Sequence, residues 1–333
     1  MSTNSPSGCS LQRRRRRRTL PAPRAAPHPR PPGPSSRPRS CLVAILAARL
    51  AFNRALRAPA GRLAAACGRD AAHRDGGKLL EELWALCGNV ATLGLALFVM
   101  IRRNGGCTFR STLPCLEGWP NHAVDPLVAL YYSLELAWYA SMLLKPLLRL
   151  GAADGRDMTA HHAATAALLL AARGCGLERL GVAVLALFGL SNPLLHAAKV
   201  ANQLDARGKI AAFAAFAAAF FLTRVLLVPR VVLAPSAVQS RLVLPYAVAD
   251  FHFTYLAFNA LLWVLYALQL LWMRSILRVL WQAATGGADA ASRMSARCDP
   301  AKRYAPPCAP APAGAAAAGE GADVHGERDG KTE

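Results

Sequence analysis

Acidic residues are scarce in this chain: 19 Asp and Glu face 39 Lys and Arg, and none occurs before Asp70. A segment of that kind cannot pair its own charge. None of the nine cysteines stands in a Cys-x-x-Cys pair, which argues against a zinc site or a thioredoxin-type redox site. Only Cys107 and Cys115 share a short loop, and a disulfide there requires an oxidising, lumenal face. No Asn-x-Ser/Thr sequon with an allowed middle residue occurs, so glycosylation marks no side of a membrane. Residues 1–40 hold no aromatic side chain, and base stacking, the usual companion of a basic nucleic-acid groove, has nothing to work with. Nucleic acid is not an expected partner, and no bound metal or cofactor is expected.

What the chain has instead is apolar length. Hydrophobic residues make up 54% of the 333, and mean hydropathy is +0.24. The net charge of +20 is concentrated: residues 1–40 carry ten arginines, six of them consecutive from Arg13 to Arg18. A Pro/Ser/Arg-rich tail of this composition buries no core. It suits an organelle transit segment, contact with anionic headgroups, or plain compositional drift; the sequence leaves these open. The tail at 283–333 is rich in Ala, Gly and Pro, and disorder is expected there too.

Between the tails, several stretches approach the ~20 residues that cross a bilayer. Spans are expected at about 83–101, 126–148, 161–172 (short), 180–199 with a helix-perturbing Pro193, 210–233 and 253–273. The stretch from 41, broken by Arg49, Arg54 and Arg57, reads equally as an interfacial helix or a doubtful first span, so 41–77 is set apart. Basic residues precede the first firm span and follow the last. By the positive-inside rule both ends share the cytosolic side, which favours six crossings with an open seventh element. The fold class is all-α and polytopic.

Ionisable groups inside such spans are functional candidates by default. Glu135 lies mid-span, with Trp138 and Tyr139 one turn on and on the same face. Arg224 interrupts "FFLTRVLLVP", and a neutralising Glu135–Arg224 pair is the plain structural reading. His196 and Lys199 share a face with Asn192 one turn earlier; Lys199 reads as an interfacial anchor. His161 and His162 open an apolar run. Neighbouring helix residues point ~100° apart, so the two imidazoles cannot do one job. An imidazole near its unperturbed pKa can serve as a general base or accept an acyl group; the bland alternative is two polar residues at an interface.

The ordered set "KLLEELW", "GWPNHAVDPLVALYYSLELAWYASMLL", "DMTAHHAATAALLL", "SNPLLHAAK" and "FFLTRVLLVPRVVL" resembles the TLC-domain family, and within it the ceramide synthases. The resemblance covers about residues 78–282. It implies a ring of six transmembrane helices around a polar cavity in the endoplasmic reticulum membrane. The implied activity is transfer of a fatty acyl group from acyl-CoA, as co-substrate, to a sphingoid-base amine. His161 and His162 match the family's catalytic pair and Thr165 its accompanying threonine; Glu135, Asn192, His196 and Arg224 are expected to line the cavity. Membrane lipids are implied partners, and a homo-dimer is compatible with the sequence.

The resemblance breaks at one motif. Ceramide synthases carry a His-Asp pair, a second Asp and a Glu just before Ala-Ala-Lys. Counted without gaps from His161, these positions are Phe188 and Gly189, Asn192, and His196. Ser191 and Ala197-Ala198-Lys199 are kept. If the pair needs a carboxylate to orient it, as triad logic implies, Glu135 is the mid-span acid left to substitute, and His196 is a relocated imidazole. The alternative function is a non-catalytic TLC protein that binds lipid or adjusts membrane composition.

Overall fold

The computed structural model describes residues 38–68, 73–119, 122–151, 153–243 and 252–297. The polyarginine run and everything beyond residue 297 lie outside them. All regular structure among the described residues is helical.

Among the described residues there are nine α-helices: α1 (Pro38–Cys67), α2 (Gly76–Arg102), α3 (Pro126–Leu144), α4 (Arg156–Gly174), α5 (Glu178–Gly189), α6 (Asn192–Gln203), α7 (Lys209–Phe220), α8 (Ser240–Val243) and α9 (His252–Arg297). Their starts are written locally. Asp75 caps α2 by accepting from the Gly77 and Lys78 N–H groups, and Asp125 caps α3 through Leu127 N at 2.8 Å, ahead of Pro126. A carboxylate at that position satisfies otherwise orphaned donors, and proline suits the first turn.

Among the described residues, five stretches are long and apolar enough to cross a membrane: Gly76–Arg102, Pro126–Leu144, Glu178–Gln203, Lys209–Leu242 and His252–Thr285. This is a polytopic membrane protein. The expected short crossing at 161–172 is helical within α4, but Arg156, Asp157, Arg173 and the two histidines make that helix more polar than the other five. Helix α1, the doubtful element, packs against α2 and α3, burying Arg49, Asn53, Ala60 and Ala64.

Two interruptions follow from proline. The span 178–203 breaks after Gly189 and restarts at Asn192, with Pro193 in the first turn of α6. From Phe221 to Gln239 the chain after α7 winds as wide π-helical turns, with Pro229 and Pro235 opening two of them. Proline removes an i→i−4 bond and crowds the preceding turn, and wider turns relieve the crowding. Carbonyls freed inside a membrane need partners. Helix α9 supplies them: Tyr266 donates to Val225 O at 3.2 Å, and Tyr255 to Ala237 O at 2.8 Å. Helix α9 also runs on to Arg297, past residue 283 where a disordered tail was expected; its Ala-rich composition favours helix even outside the membrane.

Helix α2 is the hub, packed on α1, α3, α5 and α6; α3 meets α4, α6 meets α7, and α7 meets α9. One apolar cluster joins Val99 and Met100 to Val128, Tyr131 and Tyr132, and to Leu169 and Val182. A second joins Leu187 to Val228, Val231, Val232 and Leu262. Two glycines permit close approach: a Cβ on Gly88 would strike the Trp138 indole, and one on Gly181 the Tyr132 hydroxyl.

Cys107 and Cys115 form the disulfide. Their loop is held to the first turn of α5 by Asn104 Nδ2 on Arg179 O at 2.9 Å and to the α4–α5 connection by Trp119 Nε1 on Cys175 O at 2.8 Å. These loops therefore share one end of the bundle.

Candidate functional site

The helices enclose a cavity of about 650 Å³, and every residue expected at the site lines it: Glu135, His161, His162, Thr165, Asn192, His196 and Arg224. Trp138 and Tyr139 line it too, as their spacing from Glu135 requires.

The two histidines part company as adjacent helix positions must. The His161 ring meets Trp272 of α9 edge-on, 5.1 Å between centroids; His162 faces Tyr139 at 5.8 Å. Thr165 spends its hydroxyl on the His161 carbonyl one turn back, at 2.8 Å. His162 is buried, and its Nε2 lies 3.5 Å from Asp154 Oδ2. Among the described residues its buried Nδ1 has no hydrogen-bond partner, and neither has the buried Nδ1 of His161.

The acid beside the pair is therefore Asp154, from the α3–α4 loop, and not Glu135. No motif spacing points to Asp154, because it reaches His162 from outside the helix that carries the pair. Its only sequence signal is to be an acid shortly before a His-His. Asp154 belongs to a chain of alternating charge. Arg49 donates to Glu81 Oε1 at 2.5 Å, Lys145 Nζ lies 3.6 Å from Glu81 Oε2, and the same ammonium donates to Asp154 Oδ1 at 2.8 Å. Arg49 Nε and Asn53 Nδ2 both bind the Leu150 carbonyl, tying α1 to this loop. A Cβ on Gly151 would collide with the ends of the Glu81 and Arg49 side chains, so a larger residue there must displace the ion pair. Burial alone would raise the Asp154 carboxyl, but the His162 hydrogen bond and the Lys145 ammonium draw it down to about 2.

The expected Glu135–Arg224 pair does not form. Glu135 is buried, with the Tyr131 hydroxyl one turn back as its partner. Arg224, also buried, donates to Ser191 Oγ at 3.1 Å, Gln269 Oε1 at 3.0 Å, Phe188 O at 2.6 Å and Asn192 Oδ1 at 2.6 Å. Its guanidinium sits 4.8 Å from the Phe188 ring centroid and 5.2 Å from that of Phe220. Two of the positions where the resemblance predicts acids or an imidazole, Phe188 and Asn192, are thus neutral groups gathered on one cation.

His196 has also found an acid that periodicity does not reveal. Its Nδ1 lies 2.7 Å from Glu82 Oε2, and Lys199 Nζ, expected as a simple anchor, lies 3.1 Å from Glu82 Oε1. Asn192 Nδ2 reaches across to Asn89 Oδ1 on the same facing helix. The cavity thus holds two imidazole–carboxylate couples, each completed by an acid from another element. Arg49, Lys78, Lys145, Lys199 and Lys209 line it as well, at the end away from the disulfide.

Comparison with known proteins gives the same outline. The family model described as the TLC domain matches residues 78–278. Ceramide synthase 4 of Homo sapiens is 31% identical over 120 residues, 36% of this chain and 30% of that protein. Sphingosine N-acyltransferase lag1 of Schizosaccharomyces pombe is 33% identical over 88 residues, 26% of this chain and 23% of that protein. The match thus covers less than a third of each relative's length. With the family model spanning more than half of the sequence, the chain belongs to the TLC-domain family.

Proposed function

We propose that this protein is an N-acyltransferase of the endoplasmic reticulum membrane, moving a fatty acyl group from acyl-CoA to the amine of a sphingoid base. One observation carries the reading: His162 Nε2 faces the Asp154 carboxylate while its Nδ1 has no hydrogen-bond partner among the described residues. With Nε2–H directed at Asp154, the Nδ1 lone pair is left for a proton on a bound substrate, the division of labour that makes an imidazole an effective general base. A 3.5 Å contact is long for a hydrogen bond, as catalytic contacts commonly are before substrate binds.

In the step itself, the amine attacks the thioester carbonyl and His162 takes the amine proton as the C–N bond forms. The C–S bond then breaks, and the proton passes to the departing thiolate. His161, edge-on to Trp272, lines the same cavity. The basic residues at one end of the cavity suit the CoA phosphates, and the apolar lining suits two alkyl chains.

The test is acyl-CoA-dependent amide formation in microsomes from cells lacking their own ceramide synthase, read by lipid mass spectrometry. The expected result is amide product with the unaltered protein and loss of at least 100-fold with Asp154→Asn or the double variant His161→Ala/His162→Ala, an order set by loss of a base or its orienting acid. Product at an undiminished rate in the double variant would overturn the assignment. A second reading, a non-catalytic protein that holds lipid, is favoured by the neutral residues Phe188, Gly189 and Asn192; it predicts retained lipid and no amide.

A further inference from the structure

Arg224 is a desolvated cation whose partners, among the described residues, are all neutral. A guanidinium has five N–H donors; four of its hydrogen bonds go to a hydroxyl, two side-chain amide oxygens and a backbone carbonyl. Among the described residues no carboxylate reaches it, since Glu81, Glu82 and Asp154 are engaged elsewhere and Glu135 pairs with Tyr131. Aromatic faces of Phe188 and Phe220 soften the desolvation but carry no net charge. Arginine within a membrane helix is costly, and removal of such a charge from bulk water calls for a counter-ion. The side chain is also not sealed into a core, because Arg224 lines the cavity beside Asn192, Phe188 and His161. His161 brings a second unmet demand to the same chamber: its Nδ1 is buried with no partner.

We propose that the cavity binds a single-chain amphiphile through a negatively charged oxygen headgroup seated between Arg224 and His161. A long-chain fatty carboxylate fits best. Carboxylate oxygens accept from a guanidinium in the planar geometry that arginine favours. The alkyl chain would lie along Leu168, Leu262 and Leu265, which line the same chamber. The amide side chain of Asn192, which lines the cavity and now occupies the guanidinium, can turn away as the headgroup arrives, while buried Gln269 keeps its place. Had Asn192 been an aspartate, the cation would carry its own counter-ion, and an anionic ligand would meet repulsion instead.

This inference concerns binding and stands whether or not amide is formed. The test uses the purified full-length chain and measures equilibrium binding of radiolabelled oleate, oleyl alcohol and 1-oleoyl lysophosphatidate. Oleate is expected to bind at least about tenfold more tightly than the alcohol of equal chain length, the order expected of a charge-assisted hydrogen bond to a buried cation. Asn192→Asp supplies the missing negative charge from within and should abolish that preference. Arg224→Gln should do the same. If Arg224→Gln does not fold, Asn192→Asp decides alone. Oleate preferred over lysophosphatidate identifies a carboxylate; the reverse, with the same response to Asn192→Asp, identifies a phosphate headgroup on the same chemistry. Equal binding of oleate and the alcohol, or a preference untouched by Asn192→Asp, would overturn the proposal.

Discussion

Glu82 Oε2 lies 2.7 Å from His196 Nδ1, and the other oxygen of the same carboxylate lies 3.1 Å from Lys199 Nζ. One acid on α2 therefore holds two basic residues from successive turns of α6, locking together the helices on either side of the cavity mouth. Glu82→Gln should lower thermal stability in detergent by about 1.5–3 kcal/mol, the range for hydrogen bonds to charged groups. His196→Glu would set two carboxylates face to face and should destabilise at least as much. Combining it with Glu82→His reverses the couple and should recover most of the loss; no recovery in the double variant would show that the pair does not interact.

Glu81 touches neither histidine, yet it holds the ammonium that holds Asp154. Acting only through Asp154, it should be silent where Asp154 is already gone. Glu81→Gln should lower the rate of amide formation about tenfold, with KM nearly unchanged, as outer-shell partners of a site do. In the Asp154→Asn background the same change should have no further effect, whereas a general loss of structure would add. Gly151→Ala, which wedges the loop against Glu81 and Arg49 while keeping every charge, should mimic Glu81→Gln.

The Asp154 carboxyl is held at about 2, below its ordinary 3.8. A depressed folded-state pKa contributes stability above the unfolded value and loses it as pH falls through the folded one. The unaltered protein should therefore exceed Asp154→Asn in thermal midpoint at pH 6. The gap should close between about pH 4 and pH 2. A gap that stayed constant across that interval would mean that the ionised carboxylate contributes nothing.

The Cys107–Cys115 disulfide closes a loop of eight residues' separation, for which chain entropy suggests about 2.5 kcal/mol of stabilisation. Disulfides persist in oxidising compartments, so this end of the bundle should face the lumen. In sealed microsomes, a membrane-impermeant maleimide should fail to label either cysteine. Labelling should need both reduction and permeabilisation, read by gel shift. Labelling of intact vesicles after reduction alone would invert the topology.

Much of this is legible in the amino-acid sequence. Apolar length located the spans, because a bilayer sets helix length directly. Pro193 announced the break that appears between Gly189 and Asn192, and the four-residue spacing of Glu135 and Tyr139 put both on the cavity face. The pairing of Arg224 was not legible. Periodicity says that a charge faces inward, but not which residue of another helix it meets, and the expected partner Glu135 turned out to bond to Tyr131 within its own helix. Asp154 was missed for a similar reason: it acts from a loop, where no period applies.

What the amino-acid sequence determined by itself is a helical membrane protein with ionisable groups committed to its interior, since hydropathy and helical period are local properties of the chain. Which acid meets which base was decided only by the tertiary structure. The couples His162–Asp154 and His196–Glu82, and the cation at Arg224 with none, depend on how helices cross. Coulombic contacts a few ångströms long are fixed by that packing and leave no mark in the order of residues.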